Sequence, residues 1–117
     1  MVDRGLLKFC KQYLTEKNYK LLQEMDDELK TAFLAAIAKA IHRMRFSENL
    51  DRERVKEIVN ETFVVVLEIV ETFNKAIDAA HLKIEKLKRL RNAAVFRGFE
   101  LGAEKLQEIK AKVKGVA

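Results

Sequence analysis

Apolar residues between positions 59 and 87 recur at alternating spacings of four and three. Such heptad spacing keeps one side of an α-helix apolar, and it is typical of helices that pack lengthwise against another helix, as in a coiled coil. We call these nine positions the apolar seam. They are Val59, Phe63, Val66, Val70, Phe73, Ile77, Ala80, Ile84 and Leu87.

The seam predicts one long central helix from about residue 52 to residue 91. The segment FSENL, residues 46–50, is the clearest break before this helix, and Asp51 is a suitable N-cap for it. Leu50 and Val55 have the spacing of a hydrophobic staple, which supports the same start.

Two interpretations exist for the end of the central helix, because the next seam position is Arg91 within KLKRLRN, residues 86–92. In one interpretation Asn92 caps a new helix and the chain turns back. In the other the helix continues, as far as residue 114, with a shifted apolar stripe. The absence of Pro, Gly and turn dipeptides just after Leu90 favours continuation.

Two shorter apolar stripes precede the central helix. They predict a short N-terminal helix over residues 4–15 and a second helix over residues 19–45, which would lie antiparallel against the central helix. Asp26 and Asp27 could cap a separate helix, but the unbroken apolar periodicity favours a single element. The predicted fold is therefore an all-α helical bundle, with residues 1–117 in one domain.

The length of the predicted central helix argues for self-association. A helix over residues 52–91 would be about 60 Å long at 1.5 Å per residue, whereas a compact domain of this size has a radius of gyration of about 13 Å. The helix over residues 19–45 would cover about two-thirds of it. The end around Ile84 and Leu87 then needs either the last segment or a second chain as cover. Without a good turn at 91–92, we predict a homodimer, most simply a two-fold one.

Positive charge is concentrated in the last third of the chain. The net charge is +5 overall, and residues 81–117 carry ten basic and four acidic groups, which gives +6. Binding of nucleic-acid phosphates is therefore an alternative function. The cluster around residues 83–91 spreads over most of the helix circumference, which favours ordinary solvated faces. The candidate phosphate contacts are Lys83, Lys86, Lys88, Arg89, Arg91 and Arg97.

Small residues at Ala94, Gly98 and Gly102 form a ridge with a spacing of four. Each glycine costs a helix about 1 kcal/mol relative to alanine, so two of them at this spacing need a structural reason. We expect either a close approach of another helix backbone or a local kink.

Candidate chemistry is sparse. Asp78, His81 and Glu85 have the spacing of half a helical metal site, but no second carboxylate–histidine pair accompanies them, so no metal is predicted. The single cysteine, Cys10, lies among apolar residues and is expected to be a buried structural thiol. Catalytic motifs and cofactor fingerprints are not apparent in the sequence, so no catalytic residue and no cofactor is predicted.

The remaining signals concern location. The longest apolar run, residues 63–67, is far below the roughly 18–20 residues of a membrane span, and no signal peptide is evident. The sequence therefore predicts a cytoplasmic, non-enzymatic assembly protein that self-associates through its seam and holds a protein partner.

Overall fold

In a computed structural model of the protein, the backbone is described for residues 3–116 and the side chains for all of these except residues 110 and 113–116. The described residues form five α-helices and no strand, which confirms the all-α prediction. The helices are α1 (Arg4–Lys11), α2 (Glu16–Gln23), α3 (Asp27–His42), α4 (Arg52–Ala79) and α5 (Ile84–Val116), and a π-helical turn (Arg43–Ser47) follows α3.

Side-chain caps fix where the first four helices begin. Asp3, Thr15, Asp26 and Asp51 each accept a hydrogen bond from a backbone N–H two or three residues further on, which satisfies a group that has no partner inside the helix. The prediction that α4 begins after Asp51 is confirmed, since Asp51 Oδ1 accepts from the N–H of Arg54 at 2.8 Å.

The predicted helix over residues 19–45 is wrong in extent, because two helices share that segment. The carboxylate of Asp26 accepts a hydrogen bond from the N–H of Leu29 at 2.9 Å and caps α3. The alternative of a separate helix at Asp26 and Asp27 is therefore the correct one. The preceding helix α2 begins at Glu16 behind Thr15, so residue 15 caps α2 and does not belong to α1.

The predicted central helix over residues 52–91 is also wrong, because α4 ends at Ala79 and the chain reverses over residues 80–83. Ala80 is extended (φ −79°, ψ 139°), and Lys83 adopts a left-handed conformation with φ 64°. This turn contains neither Gly nor Pro, so its sequence gives no ordinary turn signal. The reversal lets α5 fold back against the apolar face of α4.

This early reversal removes the length argument for a second chain. With 28 residues, α4 is about 42 Å long, and α5 is its main packing partner. Self-association would therefore have to use a surface that the protomer itself leaves exposed.

The core lies where α3 packs over the α4–α5 hairpin. Phe33 of α3 lies between Phe63 of α4 and Phe99 of α5, with ring centroids 5.2 Å and 5.9 Å away. All three rings are buried. Because tilted and edge-to-face aromatic pairs add to the free energy of burial, this trio is the centre of the interhelical packing.

The order of contacts gives the direction of α3. Asp26 at its start lies beside Arg91, which in turn contacts Asn74 near the end of α4, whereas Phe33 lies beside Phe63. Positions therefore rise along α3 as they fall along α4. The predicted antiparallel pairing of these two helices is confirmed, although its bounds differ.

The ridge of small residues has two different roles. A Cβ atom added at Gly98 would lie 2.6 Å from Cγ2 of Val66, so Gly98 allows the close approach of α4 and α5. Gly102 has φ 82° and ψ 166°, a conformation that is essentially restricted to glycine, and it kinks α5. The two expectations for this ridge, close packing and a kink, are thus each met at one glycine.

Replacing Gly98 with alanine is expected to lower the free energy of unfolding by about 1–3 kcal/mol, because Val66 or the helix backbone must shift to accept the methyl group. Urea unfolding followed by circular dichroism measures the change. At an open helical site the same substitution would raise stability by about 1 kcal/mol. A gain in stability would therefore show that α4 and α5 are not in close contact at this point.

A polar residue that the apolar pattern does not reveal joins the N-terminal helices to α4. The side chain of Asn60 donates to the carbonyl oxygens of Tyr13 and Lys56, and its Oδ1 accepts from the Thr15 N–H and from Nδ2 of Asn18, at 2.7–2.9 Å. Because all these groups are paired, Asn60 holds the α1–α2 connection against α4 without a desolvation penalty.

Candidate functional site

The apolar seam divides into two parts in the structure. Its first four residues are buried within the protomer, with at most 1% of their surface exposed: Val59, Phe63, Val66 and Val70. These side chains cannot meet a second chain unless the core opens. The other five, which we call the distal seam, are not fully covered: Phe73, Ile77, Ala80, Ile84 and Leu87.

The distal seam belongs to the end of the α4–α5 hairpin, residues 71–90, which we call the hairpin tip. The structure describes every residue of the tip, and none is buried. Leu82 is 80% exposed, Leu90 48% and Ile84 36%. Large aliphatic side chains at this density on one small element form an apolar surface that a soluble monomer rarely leaves exposed.

The tip is exposed because α3 does not extend over it. The start of α3 lies level with Arg91, and from there towards the turn only α4 and α5 face each other. Phe73 and Ile77 continue the line of the buried seam on α4, and Ile84 lies seven residues before Arg91 on α5. The apolar strip that α3 covers in the core therefore continues along the tip, where Phe73, Ile77, Ala80 and Leu87 are half-buried and Ile84 is exposed.

Arg91 marks the boundary between the core and the tip. Its side chain is only 3% exposed. Nη1 donates to Asn74 Oδ1 at 2.9 Å and lies 3.6 Å from a carboxylate oxygen of Asp26, while Nε donates to Asn92 Oδ1 at 3.2 Å. Asn92 in turn donates to Glu28 at 2.7 Å. Arg91 is thus a structural residue that joins three helices. Because its side chain is buried, it is not available as a phosphate contact, contrary to the prediction.

The other candidate phosphate contacts lie at the surface. Lys83 in the turn and Lys86 and Arg89 on α5 are exposed, and they have no ion-pair partner among the described residues. Lys88 is half-buried, with Nζ 3.9 Å from Glu85. Arg97 is exposed and forms an ion pair with Glu100 at 3.2 Å.

The half metal site is not assembled on one helix. Asp78 is in the last turn of α4, His81 is in the connection and Glu85 is in the first turn of α5, so the helix break separates the three. In the part of the chain that the structure describes, no three His, Cys, Asp or Glu side chains are grouped so that they could hold a metal ion.

Cys10 is a buried structural thiol, as predicted. Its side chain has no exposed surface, and Sγ donates to the carbonyl oxygen of Leu34 at 3.4 Å. Burial raises the pKa of the Cys10 thiol from 9.0 to about 12, against a smaller lowering by a backbone hydrogen bond at Ala38. Because the thiolate is the reactive form, this cysteine is chemically inert in the folded protein at neutral pH.

An open cleft of about 380 Å³ lies beside the kink at Gly102. Its lining includes apolar side chains such as Met44 and Ile58 and charged groups of both signs, among them the ion pair between Arg43 and Glu48 at 3.3 Å. A rim of mixed charge does not select a ligand by charge, so we assign no ligand to this cleft.

Among the described helices, none combines the length and the apolar character needed to cross a lipid bilayer. Comparison of the chain with protein-family models, with curated proteins and with solved structures finds no match. Functional proposals for this protein therefore rest on its own surfaces.

Proposed function

We propose that this protein is a non-enzymatic assembly protein that forms a two-fold homodimer through the distal seam. The observation that supports this proposal is the apolar strip of the hairpin tip, which continues the core beyond the start of α3 and is only partly covered by the described residues. A second hairpin tip would complete that cover, because it presents the same strip of apolar side chains.

A second copy suits this strip because a two-fold axis pairs a surface with itself. The strip itself contains no carboxylate and no cation, and Lys88, one helical turn after Ile84, has Glu85 as an ion-pair partner at 3.9 Å, so two copies can approach without burying an unpaired charge. Stable interfaces use about 20–30 residues on each side. Residues 71–90 amount to twenty positions, but some of them, such as Lys86 and Arg89, face away from the strip. The interface is therefore smaller than this range, and we expect a weak dimer with a dissociation constant on the order of micromolar.

The charges around the strip favour an antiparallel arrangement of the tips. Near the tip the outer face of α4 carries two carboxylates and one cation, Glu71, Asp78 and Lys75, whereas the outer face of α5 carries two cations and one carboxylate, Lys86, Arg89 and Glu85. A two-fold packing that places α4 of one copy beside α5 of the other alternates these charges around the four helices. Packing α4 beside α4 would instead bring like charges together.

A double substitution of Ile84→Glu and Leu87→Glu tests the proposal. These side chains lie outside the buried core, so the variant is expected to fold and to lose dimerisation, because four carboxylates would meet at the two-fold interface. Analytical ultracentrifugation at high micromolar concentration measures the mass, which should be twice 13.5 kDa for the wild type and 13.5 kDa for the variant. Circular dichroism measures retained helicity.

Val64→Glu is the matched control. Val64 is 48% exposed and lies on α4 away from the tip, so this variant adds a carboxylate at an exposed apolar position and should still dimerise. A wild-type protein that sediments only as a 13.5 kDa species would contradict the proposal, as would a folded Ile84→Glu, Leu87→Glu variant that still dimerises.

We also place this dimer in a reducing, cytoplasmic setting, where a protein partner would bind it. Support for the compartment comes from the single, buried cysteine, Cys10, which has no second cysteine with which to form an internal disulfide, since free thiols are typical of reducing compartments.

A further inference from the structure

The structure rearranges the basic residues of α5 into a pattern that the sequence alone does not show. With Arg91 buried and Lys88 half-buried beside Glu85, the exposed cations of the first half of α5 are Lys86, Arg89 and Arg97. At 100° per residue these three lie within about 80° of one another. Together with Lys83 at the start, we call them the basic stripe.

The basic stripe lies on the side of α5 opposite to its core-facing side. Val95, Gly98 and Phe99 are buried, and their mean direction is roughly 180° from that of the stripe. Ala93, which is exposed, lies within the stripe and leaves room between its cations. The carboxylates nearest to the stripe are already engaged, Glu85 with Lys88 and Glu100 with Arg97, so the cations of Lys86 and Arg89 remain available.

We infer that the basic stripe binds the phosphate backbone of double-stranded nucleic acid without sequence preference. From Lys83 to Arg97 the stripe spans about 21 Å at 1.5 Å per residue, a length over which a duplex presents many phosphates. Binding of this kind needs only a row of cations at the surface. This function is additional to the proposed self-association.

The surroundings of the stripe favour a duplex over a single strand. Single-strand binders stack bases on exposed aromatic side chains. Phe96 is packed against the core and Phe99 is buried against Phe33, so neither ring is offered beside the stripe. A duplex keeps its bases stacked and requires no such platform.

The same packing disfavours a lipid surface. An amphipathic helix binds a membrane by inserting its apolar face between the lipids. Between residues 91 and 99 the apolar face of α5 is committed to the core through Val95 and Phe99, and the exposed side chains there are Ala93 and Arg97. The distal seam residues Ile84 and Leu87 lie on another side of α5, so binding by the stripe does not depend on the proposed dimer.

Fluorescence anisotropy with a labelled random-sequence duplex, titrated at several salt concentrations, tests this inference. Each neutralised phosphate contributes about −0.9 to the slope of log Kobs against log salt concentration. Three unpaired cations predict a slope of about −3 per chain bound, and exchange of Glu100 for a phosphate at Arg97 would bring it to about −4. The double variant Lys86→Gln, Arg89→Gln should bind more weakly and should have a slope shallower by about 2. Glutamine is close to lysine and arginine in helix propensity, so the fold should be retained.

The control is Lys17→Gln, Lys75→Gln, which removes two exposed cations of α2 and α4 and changes the net charge by the same amount. This variant should keep the wild-type slope. Equal losses in both variants would show that net charge alone is responsible and would overturn the inference. Absence of duplex binding at low salt would overturn it too, as would tighter binding of a single strand or binding of phosphatidylserine vesicles alone.

Discussion

Replacement of Arg91 with alanine is expected to lower the free energy of unfolding by about 2–4 kcal/mol. The substitution removes a buried guanidinium and leaves Asn74 without its donor in a cavity between α4 and α5. Breaking a fully buried ion pair costs about 3–5 kcal/mol. We expect a smaller loss because the carboxylate of Asp26 is 60% exposed and can be solvated by water. Urea unfolding at constant salt measures the change.

Arg89→Ala is the matched comparison, because residue 89 lies on the same turn of α5 but faces solvent. Its stability should stay within about 0.5 kcal/mol of the wild type. If the two arginine variants lost equal stability, the network around Arg91 would not be a structural element. High salt should alter the loss at Arg91 little, because the buried guanidinium is poorly screened.

Replacement of Phe33 with alanine is expected to cost about 3–5 kcal/mol, the range for deleting a buried phenylalanine side chain. Phe33 is completely buried between Phe63 and Phe99, and it is the only ring that touches both in the described core. Its loss would leave a cavity at the point where three helices meet. Thermal or urea unfolding of the purified variant measures the effect.

Phe46→Ala is the control for Phe33, since Phe46 is 72% exposed, in the turn that follows α3. This variant should change stability by less than about 0.5 kcal/mol. A small loss at Phe33 would mean that the three rings do not form the centre of the core. A double-mutant cycle that combines Phe33→Ala with Phe99→Ala measures how much of the lost stability comes from the contact between the rings of Phe33 and Phe99.

The sequence predicted the parts of the fold that depend on periodicity and capping. The seam from Val59 to Val70 is buried as a continuous helical face, and Asp51 caps α4, because both signals are local. The reversal at residues 80–83 was not predicted, because Lys83 adopts a left-handed conformation that its residue type does not favour. Burial of α5 against α4 offsets this local cost, and such packing is not visible in a single sequence.

The polar residues were harder to interpret than the apolar ones. Arg91 occupies the next heptad position after Leu87, so its place in the seam was a signal that the side chain would be buried with partners. Asn60 gave no comparable signal. Its hydrogen-bond partners Tyr13, Thr15 and Asn18 lie 42–47 residues away in sequence, so only the structure identifies them.

The candidate surfaces were predicted in part. The distal seam was included among the nine seam residues, but the sequence could not show that α3 does not extend over it. The six basic residues appeared to surround their helix, because Arg91 and Lys88 were counted with the others. Because Arg91 is buried and Lys88 is half-buried, the exposed cations form a single row, and this burial is visible only in the tertiary structure.

The four-residue turn at 80–83 also bears on the order of folding. It makes the largest interhelical contact, between α4 and α5, available to segments that adjoin in sequence, whereas the hydrogen bonds of Asn60 to the N-terminal segment span 42–47 residues. Closing a short loop loses less chain entropy than closing a long one. The α4–α5 hairpin is therefore expected to form first, and attachment of α1 and α2 would complete the native state.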